Sequence, residues 1–232
     1  MEKYDGMMQR PTVGVTSADA AFKPNSDVNG FRRRRFARFI PLLAQSAQER
    51  STVRVLDIGG TKGYWQGVQD MWQGLDLQIT LLNINATASA AGPFTVLGGD
   101  ARAVQFPDNS FDVVHSNSVI EHVGAWSDIQ AMAGEVQRLA PRYFVQTPNF
   151  WFPFEPHFRS VGFHWLPAEM RARRIMRKRL GHRPKQDNFH DAMALVQSVQ
   201  LLTATQMRAL FHGAAIEREY VFGLTKSLMA IK

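Results

Sequence analysis

Asp57, Gly59, Gly60 and Gly63 fall within seven residues, at the end of the largely apolar run 53–56. A buried strand that ends in an acid and a glycine-rich turn, then enters a helix, is a place where a chain can hold a ligand. Glycines let the backbone approach closely, and the helix N-terminus attracts a carboxylate or phosphate. Taken alone, the turn fits either a dinucleotide site or a plain strand–helix connection. No Gly-Lys-Ser/Thr follows, which argues against a P-loop, and the spacing departs from G-x-G-x-x-G; it reads D-x-G-x-T-x-G. Two histidines are candidates for proton transfer: His122, in IEHV, and His157, in NFWFPFEPH. For each, an orienting or packing role is the alternative. Glu121 reads as a first-turn helix charge.

Phe150, Trp151, Phe152, Phe154, Phe158, Phe163 and Trp165 crowd one short stretch that Pro153, Pro156 and Pro167 keep from being a long helix. Such a segment forms either a substrate pocket or lid, with Trp151 and Phe154 as its contacts, or a satellite core. Two acid-free basic runs add charge. Residues 31–38 (FRRRRFAR) and 171–185 (RARRIMRKRLGHRPK) carry thirteen Lys/Arg between them, so the rest of the chain is acidic on balance within a net charge of +7. The runs suit an anionic substrate, nucleic acid or lipid, or are solvated helix faces.

The elements that must position these groups alternate. Residues 1–29 read as a loose arm. A helix is expected from Gly30, with Phe31, Phe36, Phe39, Ile40 and Leu43 on one face and arginines on the other. Strands follow in VRVLD, LQITLLNIN, FTVLGGD, FDVVHSNS and RYFVQTPN, with helical stretches ending near Gly74 and spanning 120–139. This alternation predicts a parallel sheet covered on both faces. The tail, AIEREYVFG and LTKSLMAIK, predicts a closing hairpin that leaves the last strand antiparallel. The expected fold is a seven-stranded, mostly parallel α/β sheet with helices on both faces. Residues 150–202 read as an insertion, with 171–185 as one compact helical block.

LDIGGTKGYW resembles the first motif of class I S-adenosylmethionine-dependent methyltransferases, usually D/E-x-G-x-G-x-G. GGDARAVQFPDNSFDVVHSNSVIEHV is similar to the corresponding stretch of the small-molecule, type 11 branch of that family. The resemblance covers about residues 50–150 and implies a Rossmann-like fold and S-adenosyl-L-methionine as cofactor. It implies that Asp57 orients the turn and the cofactor's amino group, while Gly59 and Gly63 pass beneath the methionyl part. Asn83 stands where the family usually has an acid on the ribose hydroxyls. Asp100, with Ala101 beside it, matches the acid at the adenine amino group, and Ser116 and Asn117 border the sulfonium. Thr61 replaces the middle glycine. Asn83 lacks the carboxylate charge, a loss of about 1 kcal/mol in cofactor binding.

The implied activity is methyl transfer to a small-molecule, saccharide or lipid-type acceptor at oxygen, nitrogen or an activated carbon. Arg173 and Arg174 are expected to meet an anionic group of that acceptor. An RNA methyltransferase gripping phosphates with the arginine runs, or a non-catalytic cofactor-binding relative, are the alternatives. The absence of cysteine excludes disulfides and cysteine-ligated zinc, and no metal site is expected. No apolar run approaches 18 residues and no secretory signal is visible, so a cytoplasmic location is expected.

Overall fold

The computed structural model describes residues 29–232; apart from Asn29, the arm expected over 1–29 lies outside them. Asn29 caps helix α1 (Gly30–Glu49), its side-chain oxygen accepting from the Arg32 N–H at 3.0 Å. The chain continues through β1 (Val53–Ile58), α2 (Lys62–Gln66), β2 (Leu77–Asn83), β3 (Ser89–Ala91), β4 (Phe94–Gly98) and β5 (Val113–Asn117). Then come α3 (Trp126–Leu139), β6 (Arg142–Pro148), β7 (Phe154–Glu155), β8 (Ser160–Val161), α4 (Ala168–Arg177), α5 (Phe189–Gln197) and α6 (Ala204–Leu210). The hairpin β9 (Ala215–Val221) and β10 (Leu224–Ile231) closes the fold. Among the described residues no helix is long and apolar enough to cross a membrane.

The main sheet has eight strands in the order β3-β4-β2-β1-β5-β6-β10-β9. β4, β2, β1, β5 and β6 run parallel, and β10 joins β6 antiparallel. The Rossmann-like architecture is therefore as expected, with one strand more than the seven read from sequence. The addition is β3, an exposed Ser-Ala-Ala antiparallel to β4; it offers no apolar alternation by which a sequence could reveal it. The helix expected over 120–139 is interrupted: a 3₁₀ turn covers Ile120–His122, Gly124 takes φ +127°, and α3 starts only at Trp126. The basic run is also not one helix, because α4 stops at Arg177 and Gly181 and Pro184 follow.

Period-two alternation sorts the strand side chains onto two faces. Val53 and Val55 pack with Phe36, Phe39, Leu43, Trp65 and Phe144 beneath α1. Leu56 and Ile58 pack with Ile129, Met132, Val136 and Met207 beneath α3 and α6. A third cluster, including Phe158, Phe163, Ile175, Ala192 and Val196, belongs to the insertion after β6.

The β9–β10 turn uses Phe222 and Gly223, at φ +49° and +78°, the paired positive φ of a two-residue type I′ turn. Phe222 is 99% exposed, so its ring contributes no packing while its backbone occupies a region disfavoured for non-glycine residues. Phe222→Asn is expected to stabilise the protein by about 1 kcal/mol, read as a higher denaturant midpoint at unchanged slope.

Candidate active site

The parity that places Val53 and Val55 beneath α1 places Asp57 there too. Its carboxylate is buried, accepting from the Trp65 indole N–H at 2.7 Å and meeting Nδ1 of buried His115 at 2.8 Å. Both oxygens are thus engaged inside the protein, and Asp57 holds the turn from below. The tightest approach is at Gly60, where a Cβ would stand 1.8 Å from Asp57 Oδ2. Gly59 has φ +75°, and a Cβ there would stand 2.3 Å from the Val119 side chain. Gly63 is the second residue of α2. Thr61 has a local reason for replacing glycine: it caps α2, accepting from the Tyr64 N–H.

The next strand ends register against this turn. Asn83 closes β2 and donates from Nδ2 to the Gly60 carbonyl at 2.9 Å, tying the two loops together. It pairs across the ladder with Gly98 of β4, and after Gly99 come Asp100 and the half-buried Ala101. Arg102 grips Asp100 through Nε and Nη2 and reaches Asp128 as well. This bonding, against some desolvation, holds the Asp100 carboxyl below its usual range, so it stands ionised beside the glycine turn.

On β5 the same parity divides two neighbours. Ser116 faces α3, wholly buried, with a hydroxyl oxygen that has no hydrogen-bond partner among the described residues. Asn117 faces α1, where its Oδ1 accepts from Arg35 at 3.3 Å. Arg35 is the residue the sequence placed on the wrong side of α1. It is buried, bonded to Glu219 at 2.7 Å, and donates to Gln146 at 3.1 Å. It therefore ties α1 to the carboxyl ends of β5 and β6 and to the edge strand β9.

A cavity of about 240 Å³ opens beside these ends. Phe31, Phe152 and Phe154 give it apolar walls, while Arg32, Arg35 and Lys226 give it positive charge; His157 and Ser118 also line it. Lys226 reaches it from a β-bulge, the irregularity between Thr225 and Ser227 of β10. Its ammonium lies 3.1 Å over the Phe31 ring centroid. Burial and the nearby arginine charges lower its pKa. Of the residues expected to bind an acceptor, the structure brings Phe154 to this cavity, together with His157. Trp151, Arg173 and Arg174 do not line it: Trp151 is 65% exposed, and the two arginines lie on the solvent face of α4, with Arg173 near Glu169. The aromatic segment divides accordingly, since Phe158 and Phe163 form the insertion's own core.

His122 and His157 meet edge to face, with ring centroids 4.6 Å apart. Glu121 lies beside them, buried beneath the insertion and accepting from the Thr147 hydroxyl at 3.0 Å. Desolvation, reinforced by His157 and opposed by Glu121, lowers the His122 pKa, which keeps its imidazole neutral near pH 7.

Residues 56–141 match a family model described as a methyltransferase domain. Over that stretch, rather more than a third of its length, the chain is similar to methyltransferase domains. A search of curated proteins finds no match. Among solved structures, a methyltransferase assigned to an antibiotic biosynthesis pathway in Anabaena variabilis is 17% identical, with a TM-score of 0.49 over 81% of this chain and 64% of that one. Haemonchus contortus phosphoethanolamine N-methyltransferase 2, in complex with S-adenosyl-L-methionine, is 15% identical, with a TM-score of 0.46 over 78% of this chain. The PH0226 protein from Pyrococcus horikoshii OT3 is also 15% identical, with a TM-score of 0.48 over 90% of this chain and 95% of that one. The chain spans 64% of the Anabaena protein and 38% of the Haemonchus one.

Proposed function

We propose that this chain transfers the methyl group of S-adenosylmethionine to a small-molecule acceptor that carries an anionic group. The cofactor reading fits the donors present: Asn83 and ionised Asp100 at adjacent strand ends, the Gly59–Gly60 turn, and the buried orphan hydroxyl of Ser116. Bound there, the cofactor would supply an electrophilic methyl group. The protein's own task is then to hold an electron-rich acceptor atom in line and to exclude water.

The observation that carries the acceptor class is the cavity wall, where aromatic rings and the Arg32, Arg35 and Lys226 cations converge at the carboxyl ends of the central strands. Ligands of open α/β sheets sit outside these ends. Apolar walls suit the acceptor's body. The partly desolvated Lys226 ammonium gains most from a carboxylate or phosphate, because a charge stripped of water is costly until paired. His157, on the same wall, is the better placed of the two histidines to meet the acceptor.

Lys226→Met is expected to raise the acceptor KM about tenfold, one charge-assisted hydrogen bond, with cofactor affinity unchanged by calorimetry. The acceptor is found by following labelled methyl into the products of a metabolite extract. Exchange of Arg173, Arg174 and Arg177 for Gln should leave both constants as they were. The reverse pattern, with Lys226→Met silent and the α4 variant impaired, would move the acceptor to the outer basic face and favour a polyanion such as RNA.

A further inference from the structure

We propose that Glu121, His122 and His157 form a binding site for one divalent first-row transition-metal ion, bridging the methyltransferase core and the insertion. Each of these residues offers one donor atom, and the three atoms lie within 4.8 Å of one another. Glu121 and His122 come from the 3₁₀ turn after β5, while His157 comes from the loop between β7 and β8. Ligands about 2.1 Å from a shared ion stand roughly 3–4 Å apart, so side-chain rotations of about an ångström complete the set.

Two independent observations point to a ligand here. Glu121 Oε1 is wholly buried and has no hydrogen-bond partner among the described residues, although Oε2 is satisfied by Thr147. It lies 4.0 Å from His157 Nε2. A buried carboxylate oxygen left without a donor is costly, and a cation beside it removes that cost.

The second observation is the tautomer each imidazole is held in. His157 Nδ1 meets Glu155 Oε1 at 2.6 Å, and Glu155 is itself buried and fixed by the Phe158 N–H. His122 Nδ1 faces the Ser198 carbonyl at 3.3 Å, an acceptor only, so this nitrogen carries the proton. In the neutral form of each ring the lone pair is therefore left on Nε2. An outer carboxylate or carbonyl that fixes a histidine in this way is the usual support of a metal ligand.

Two imidazoles and one carboxylate favour zinc, iron(II), cobalt(II) or nickel(II) over magnesium or calcium, which take oxygen ligands. Three protein donors leave coordination positions for water or an acceptor oxygen. Because His157 lines the cavity, the ion stands at its wall.

The test needs no methyl acceptor and is independent of the methyl-transfer reading. The whole chain, freed of metal by chelator dialysis, is titrated with Zn²⁺ against a chromophoric chelator and with Co²⁺ by visible absorption. The expected result is about one ion per chain, with cobalt bands of nitrogen–oxygen ligation. His157→Gln should weaken binding by at least about a hundredfold. Glu155→Gln, which touches no ion, should weaken it about 10–100-fold. His190→Gln, on the exposed start of α5, should leave it unchanged. Glu121→Gln changes a buried group, so its result counts only if its unfolding transition remains cooperative; the His157 and Glu155 variants decide the matter without it. Uptake well below one equivalent of both ions, or affinity indifferent to His157→Gln, overturns the proposal.

Discussion

Gly60→Ala is expected to abolish S-adenosylmethionine binding and to lower stability by about 3 kcal/mol. The new Cβ would stand 1.8 Å from Asp57 Oδ2, far inside any van der Waals contact, and both groups are backbone or buried. Relief requires Asp57 to leave the Trp65 indole and His115, so a buried carboxylate loses its partners. The displaced turn also drags the Gly60 carbonyl away from Asn83, which undoes the junction between the first two strand ends. For a chain of 232 residues that stability loss is a melting temperature lower by about 6–12 °C. Gly74→Ala is the control: a Cβ there meets none of the described residues within 4 Å, and cofactor affinity and melting temperature should hold. Calorimetric affinity equal to that of the unsubstituted protein in Gly60→Ala would show that the 57–63 turn does not carry the cofactor.

The parallel core was legible because burial on two faces leaves a written trace. VRVL and ITLL are dominated by Val, Ile and Leu, broken only by Arg54 and Thr80, and strands so composed fit the middle of a covered sheet. The closing hairpin was legible for a different reason, the glycine at its turn. β3 was not, since Ser-Ala-Ala carries no hydrophobic signal and is held by hydrogen bonds to β4 alone. The break before α3 was hidden as well. Ile120 and Ile129 are both buried, so the apolar spacing continues through Gly124, whose φ of +127° ends one element and begins the next.

The site divides in the same way. Residues at strand ends followed from the motif, because strand register alone brings Asn83, Gly98 and Asp57 to one edge. Residues that reach the site from elsewhere did not. Arg35 looked like one of four equivalent surface arginines, and only the docking of α1 shows that it lies opposite Asn117 and Gln146. Lys226 is an ordinary strand lysine until the bulge turns it toward the cavity. The basic run at 171–185, by contrast, was conspicuous in composition, yet the arginines of α4 at 173 and 174 face solvent. Charge density in a sequence marks a surface; it does not say which surface the substrate meets.

Arg35→Met is expected to cost about 3–5 kcal/mol, because it strips the buried Glu219 carboxyl of the cation bonded to it. Glu219→Gln should cost a comparable amount by leaving Arg35 uncompensated. The double variant should be less damaged than the two losses summed, since neither buried charge remains; the shortfall measures the coupling. The pH dependence distinguishes this from a mere packing loss. Burial opposes ionisation of Glu219, but the bond and charge of Arg35 and the Ser227 hydroxyl prevail, so its pKa lies below the usual value. Its contribution is therefore present above the unfolded-state value of about 4.3 and is lost as pH falls through the lower folded-state value. Without Arg35 only burial and weaker partners remain, and the folded-state pKa rises. The sign then reverses: the folded chain holds a proton that the unfolded chain has released, so stability falls as pH climbs from about 4.3 toward neutrality. Denaturant midpoints across about pH 4–7 should rise or stay level in the unsubstituted protein and decline in Arg35→Met. Parallel profiles in the two would mean that Arg35 fills space and supplies no charge to the carboxyl ends of β5, β6 and β9.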